Sequence, residues 1–582
     1  MLTKKLSQLR SKVSFSAHSQ DKRNQYSRTD TSCSANSEFD NSDLLSHSTE
    51  DKNVKSDSGA SHAEYWFPTE PVANLKVKPI DFSYAESQTS NTKVSLGPSA
   101  VSEEDINIGP PVLPPYEHLE EQFLEDYEDY FAHLSVDNIR KEQYPKLDLQ
   151  SLVYLDYANF ALFSRFQVEE HMHMLLEEGP CLGSVSMSDF SHTQLTYYIE
   201  NTQERLFQLL NTRKEDYSII FTNGATAGFR VFGDLYPFQR GSFMLVCQDN
   251  HVSVNHSVQS AARKGARIAM SPVGELDLCM HGPELRRLLK KQEWNSGGTG
   301  LFIYPAQSCL SGVRHSLNWI VEAQQNGWEV LLDVSSYLPL GSLDLSLYQP
   351  EFVVGSFHHM LGYPSGTGFL LVNRKFYSII KAKYSDRLTL MASPKQGRSF
   401  HVVSEDDSIN LLTFAALAFG LEHLEIMGQT ALQKRSDSLA AWLLITLKSL
   451  KHKSDEGQPL LKVYGSSICM YRGSIISFNV MDSTGNILPA NLIQWLAKRN
   501  NIVVGVGSFG NPGLGHILSK SQERINGSNM FDKEYNFSAV RVSLGPVSTF
   551  KDVYRLAQFL CCFRDENYVE AQAIGFMEES MP

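Results

Sequence analysis

Between residues 152 and 420, short apolar runs alternate with segments of helical period, and this alternation restricts the fold more than any other feature of the chain. SIIFT at 218–222, FMLVCQ at 243–248, ARIAMSPV, LFIYPA, EVLLDV and EFVVGSF read as strands, and LVYLDY as a strand or extended entry. Between the strands, Leu195, Ile199, Thr202, Leu206 and Leu209 recur three and four apart, and VNHSVQSAARKG is a helical stretch ended by Gly265. Strands separated by helices in this way build an α/β sheet with mostly parallel strands.

The flanking regions read differently. The length of 582 residues suits two or three domains. Residues 1–115 are Ser-rich and lack apolar periodicity, so they cannot bury enough surface to offset ordering entropy and are expected to be disordered. Pro110, Pro111, Pro114 and Pro115 form a stiff spacer. Over 116–150, Leu119, Phe123, Tyr127, Tyr130, Phe131 and Leu134 share one helical face, an acidic amphipathic arm that packs on the main body. The large α/β unit is placed over 151–425. A smaller α+β unit follows over 426–570, with ICMYRG, SIISFNVM, NIVVGVG and AVRVSLG as strands and LPANLIQWLAKRN and FKDVYRLAQFLCCF as helices. Residues 571–582 read as a frayed acidic tail.

Several function classes are disfavoured. A net charge of −13 argues against nucleic acid, whose phosphates require clustered Lys and Arg. The longest apolar run, LLTFAALAFGL at 411–421, falls short of the roughly 20 residues of a membrane span and reads as a buried helix. The eight cysteines form no CxxC pair and have no accompanying His cluster, which argues against zinc. Their scatter fits reduced thiols in a cytosolic-type compartment. Residues 1–20 hold four Lys/Arg and no acid; they read as a basic tail, with an organelle transit peptide as the weaker alternative.

Ligands of open α/β sheets sit at the carboxyl ends of the strands. Asn223-Gly224-Ala225-Thr226 follows SIIFT: glycine permits a sharp turn, and the amides opening the next helix can cradle an anion. An N-capped strand-to-helix turn accounts for the same residues. DNHVSV brings His251, ordinarily a structural residue in such a turn. AQSCLSG brings Gln307 and Cys309. Asp333 follows VLL and serves equally well as a turn cap. The stretch GSFHHMLGYPSGTGFLLV at 355–372 brings Ser356, His358 and His359 ahead of a buried strand; alone, this His-rich loop leaves a metal site open.

Taken in order, FTNGATAGF, DNHVSV, LFIYPAQSCLSGVRHSLNWI and EFVVGSFHHMLGYPSGTGFLLV resemble the cofactor pocket of class V, fold-type I pyridoxal phosphate enzymes, in particular the molybdenum cofactor sulfurases, relatives of the cysteine desulfurases. The resemblance implies a large domain with a seven-stranded, mostly parallel sheet, a smaller C-terminal α+β domain, and pyridoxal 5'-phosphate as cofactor. It implies that Gly224, Ala225 and Thr226 bind the phosphate, with Ser356 and His358 beside it. It also implies that His251 stacks on the ring, Gln307 lies near it, and Asp333 pairs with the pyridine nitrogen to sustain its electron-sink character. Arg541, in AVRVSLG, would hold a substrate carboxylate. Relatives are commonly dimers, so a homodimer is a further implication. Full sulfurases carry an additional C-terminal domain, and the expectation here is a plant-type form without it.

The pattern also fails at key places. The position of the Schiff-base lysine holds His359, and an imidazole cannot condense with an aldehyde as an amine does. Lys375, Lys381 and Lys383 belong to a following helix. The segment that in the family carries the sulfur-accepting cysteine reads Gly505-Val506-Gly507-Ser508-Phe509-Gly510-Asn511-Pro512-Gly513: the turn survives and both cysteines are gone. Cys309 replaces a common asparagine, KYSDRLTL at 383–390 stands for a glycine-rich segment, and Glu405-Asp406-Asp407-Ser408 stands for EDGT. The expectation is a sulfurase-like protein that keeps fold and pocket without standard desulfurase turnover. It would hold the cofactor non-covalently at best, or an amino-acid or other phosphorylated small molecule. The alternatives are an active pyridoxal phosphate sulfurtransferase using another lysine or Cys309 as carrier, and an interaction or scaffold protein.

Overall fold

The computed structural model describes residues 113–177, 194–290, 299–377, 388–393, 398–403, 412–452, 457–526 and 537–580. Most of the 1–115 region, Lys381, Lys383 and Glu405–Ser408 lie outside the described residues. The body opens with β1 (Val153–Tyr154), followed by the strands of the main sheet: β2 (Tyr217–Thr222), β3 (Phe243–Cys247), β4 (Arg267–Ser271), β5 (Gly300–Pro305), β6 (Trp328–Asp333), β7 (Phe352–Ser356), β8 (Gly368–Asn373), β9 (Leu388–Ser393) and β10 (Arg398–Val403). Their order across the sheet is β4-β3-β5-β6-β7-β8-β2-β10-β9. The β3–β4, β3–β5, β5–β6, β6–β7 and β2–β10 pairs are parallel; β8 runs antiparallel to both β7 and β2. The sheet is therefore mostly parallel, as expected, but nine strands wide rather than seven. The two extra strands form the antiparallel β9–β10 hairpin on the edge beyond β2.

Alternate residues of the central strands enter two different apolar layers. Ile220, Met244, Val246, Leu301 and Ile303 pack on one face, with the helix Gly224–Leu235; Phe221, Leu245, Cys247, Phe302 and Tyr304 pack on the other, with the helix Thr413–Met427. Coverage on both faces is why these strands read as continuous apolar runs instead of alternating ones. LLTFAALAFGL lies largely in Thr413–Met427 and is buried there. Among the described residues, no helix is long and apolar enough to cross a membrane.

The second sheet contains β11 (Leu461–Val463), β12 (Ile475–Val480), β14 (Gly505–Gly507) and β15 (Ala539–Ser543) in the order β11-β12-β15-β14, all antiparallel, while β13 (Ile502–Val503) pairs in parallel with β1. The helices Gln429–Ser449, Ala490–Arg499 and Phe550–Cys561 close its core. ICMYRG is not a strand: Cys469–Tyr471 is a 3-10 turn, and the sheet's edge is Leu461–Val463 instead. The cause is tertiary, since Arg472 is buried and donates to the carbonyls of Ser311 and Tyr464. The arm docks here, with Phe123 stacked on Phe550 at 4.4 Å and Tyr130 under the Arg435 guanidinium. Its helix breaks at Tyr127, which leaves Phe131 59% exposed, contrary to its expected place on the packed face. The expected tail at 571–582 is instead largely the last part of a helix, Glu566–Ser580, whose Glu579 pairs with Trp495 and Arg499.

Candidate functional site

The carboxyl ends of β2, β3, β5, β6 and β7 open onto one cavity of about 350 Å³. All nine residues singled out from the sequence line it: Gly224, Ala225, Thr226, His251, Gln307, Asp333, Ser356, His358 and Arg541. His359 and Cys309 line it as well.

Gly224 begins the twelve-residue helix Gly224–Leu235 at φ +84°, and a Cβ there would meet nothing within 4 Å. The backbone conformation, not crowding, is what calls for glycine. The first amides and positive end of this helix, at the cavity edge, could receive an anion. Thr226 Oγ1 shares a 2.7 Å hydrogen bond with Ser253 Oγ, and Ser253 Oγ lies 2.8 Å from His251 Nδ1. The backbone N–H of Ser253 also points to that nitrogen, so His251 both caps its turn and is held in one ring orientation. Burial lowers the His251 pKa, against the pull of the Asp333 carboxylate.

Asp333 ends β6, in register with Pro305 of β5 and Val354 of β7. One oxygen accepts the Ser335 N–H at 2.9 Å, so the capping role holds together with a place on the cavity wall. Burial pushes its pKa up, the Ser335 contacts and His251 opposing. Gln307 donates to the Ser336 carbonyl at 2.8 Å. Ser356 ends β7 at the N-cap of the short helix Phe357–Leu361, which carries His358 and His359. The two rings lie 5.4 Å apart, and the Nδ1 atom of each is buried with no hydrogen-bond partner among the described residues. Burial, with the nearby His358, Arg541 and His251, pushes the His359 pKa down to about 4, so the ring is neutral at pH 7.

Arg541 reaches the cavity from β15. It is 4% exposed, donates to the Cys309 carbonyl at 2.9 Å, and has Asp156 Oδ1 at 3.5 Å. Burial pushes the Cys309 thiol up to about 12. Among the described residues lining the cavity there is no lysine, and Lys375 is an exposed residue beyond β8. Sequence reasoning missed Asp156, Asp249, Ser253 and Phe509 as parts of the site. Asp249 and Ser253 stood inside DNHVSV, and Phe509 inside the Gly505–Gly513 segment; Asp156 belongs to the site through Arg541, far from it in the chain.

The aminotransferase class-V family profile matches residues 153–556. A molybdenum cofactor sulfurase of Bos taurus is 28% identical over 461 residues, covering 72% of this chain and 50% of that protein. The chain spans about half the length of the curated relatives it matches. Among solved structures, the fold is similar to that of the Escherichia coli cysteine desulfurase CsdA, at 18% identity and TM-score 0.55, covering 75% of this chain and 98% of that one. It is similar too to a C-DES mutant with glycine covalently linked to its PLP cofactor, at 15% identity and TM-score 0.54, covering 72% and 98%. The profile spans more than half of the sequence, and the chain belongs to the aminotransferase class-V family.

Proposed function

We propose that this chain is a molybdenum cofactor sulfurase-like protein that holds pyridoxal 5'-phosphate non-covalently and does not carry out cysteine desulfurase turnover. One observation carries the reading: a cavity with a phosphate-type helix end, a buried Asp333 and an oriented His251 has no lining lysine among the described residues, and His359 stands at the lysine position. The residues present fit the group. The amides of Gly224, Ala225 and Thr226 would take the phosphate, His251 the ring face and Asp333 the pyridine nitrogen. The unpaired Nδ1 atoms of His358 and His359 offer further polar contacts. When bound, the cofactor supplies an electron sink for substrate carbanions.

The chain's own residues do not supply the rest of that chemistry. Neutral His359 has no amine to condense with the aldehyde. Cys309 cannot readily replace the lost sulfur carrier, because a thiol pushed up to about 12 stays protonated at neutral pH, and the thiolate is the nucleophile. Its S–H is turned to the Phe509 carbonyl at 3.5 Å. Ser508 and Gly510 offer no sulfur at all. The six described cysteines are free, in keeping with a cytosolic-type compartment. The test is purification of the full chain with pyridoxal phosphate, borohydride treatment and peptide mapping. Cofactor that dialyses away and leaves no pyridoxyl-lysine is the expected result; a lysine adduct would overturn the reading.

A further inference from the structure

We infer that the loop Gly507–Gly513 is a fixed lid and that Phe509 bars an α-amino acid from the Arg541 end of the cavity, so the pocket takes one small phosphorylated heteroaromatic ligand on its own. This rests on the cofactor reading above and goes beyond it by naming what the site excludes.

The lid is pinned at three successive residues. Asn511 is buried and donates to Asp249 Oδ1 at 2.6 Å. Asp249, itself fully buried, also receives the Ser308 hydroxyl at 2.8 Å and faces His315 Nε2 at 3.0 Å. The Gly510 carbonyl accepts the Val252 N–H at 2.7 Å, and the His251 ring fills the space a Cβ at Gly510 would need. The Phe509 carbonyl accepts the Cys309 S–H. Phe509 itself sits at φ +52°, a conformation unfavourable for a bulky residue that persists where its surroundings impose it.

The Phe509 ring lies over Arg541, its centroid 3.9 Å from the guanidinium carbon. A carboxylate fork needs two adjacent free donors. Of the five guanidinium N–H donors, one on Nη1 serves the Cys309 carbonyl and one on Nη2 faces Asp156, and Nε is buried without a partner among the described residues. The Phe509 ring over the guanidinium, not a shortage of donors, is what sets Arg541 into the cavity wall instead of leaving it as a carboxylate clamp. The cavity volume lies at the small end of the roughly 300–1,000 Å³ typical of ligand sites. The hollow next to it, between Tyr157, Ser474, Gly545 and His359, measures about 20 Å³, space for about one water.

The test is calorimetric titration of the full chain with pyridoxamine 5'-phosphate and with its reduced amino-acid conjugate, N-(5'-phosphopyridoxyl)-L-alanine. The wild type should bind the conjugate at least about tenfold more weakly than the amine. In Phe509→Gly, which suits the positive φ, the ratio of the two dissociation constants should fall to within about threefold. Phe509→Leu, smaller and without the ring, should move the ratio in the same direction and serves if the glycine variant does not fold. Equal affinities in the wild type, or a ratio unmoved in a folded variant, would overturn the lid and leave the cofactor reading standing. Failure of the wild type to bind either ligand would overturn both.

Discussion

An imidazole at position 359 differs from an amine in two respects that matter here: it cannot condense with an aldehyde, and burial keeps it uncharged. The same burial that pushes His359 down to about 4 would favour the neutral, nucleophilic form of an amine placed there, and Arg541 nearby would add to that. His359→Lys should therefore yield an absorbance band of a protein-bound aldimine on addition of pyridoxal phosphate, with borohydride trapping the adduct at 359. Cofactor bound without such a band would mean that the cavity does not present the aldehyde to this position. The main-sheet residues of the pocket were legible because they stand at or just after the ends of apolar strands, and strand ends converge by the geometry of a parallel sheet; Arg541, inside β15, came only through the family resemblance. The state of those residues was not legible. Nothing near Arg541 in the sequence announces Asp156, which faces one of its donors, or Phe509, which covers its guanidinium.

At the scale of elements, the loop after β14 is held by one buried polar network. Asp249 takes hydrogen bonds from Ser308 and Asn511 and a 3.0 Å contact from His315 Nε2, which ties the second sheet's loop to the end of β3. Asn511→Ala removes one of these donors from a carboxylate that stays buried, at a cost of about 1–3 kcal/mol. Urea unfolding should show that loss, and Asn511→Asp, which sets a second carboxylate against Asp249, should cost more. An alanine effect below about 0.5 kcal/mol would show that packing alone fixes the loop. The strands of the main sheet followed from apolar runs because burial on both faces leaves that signal. The same reasoning misread ICMYRG, where the apolar letters serve a turn built around the buried Arg472, and it did not find the β9–β10 hairpin. In both places the deciding contacts are tertiary, and local pattern carries little of them.

Across the whole molecule, groups shifted by burial respond to pH in opposing directions, His359, His423 and Glu329 among them. His359 and His423 are both pushed down by burial to about 4. Their contribution to stability is fully present above the ordinary histidine pKa of about 6.5 and is lost as pH falls through about 4, because the unfolded chain takes up the protons first. Glu329, on β6, works the other way. Burial raises it to about 7, the Tyr236 hydroxyl lowering it and Glu351 raising it further. Its folded form holds the proton more tightly, so its contribution is fully present below the ordinary value of about 4.5 and is lost as pH rises through about 7. Acidification from pH 8 to 5 thus takes stability away through the histidines and returns part of it through Glu329. Glu329→Gln keeps an acceptor for Tyr236 while removing the titration. The variant should melt higher than the wild type at pH 8, where a buried charge is removed. That advantage should shrink steadily toward pH 5 and amounts to at most about 3 kcal/mol over the range. Thermal melts of both proteins across pH 5–8 measure the difference, and a gap that stays constant with pH would place the Glu329 carboxyl in an ordinary aqueous environment.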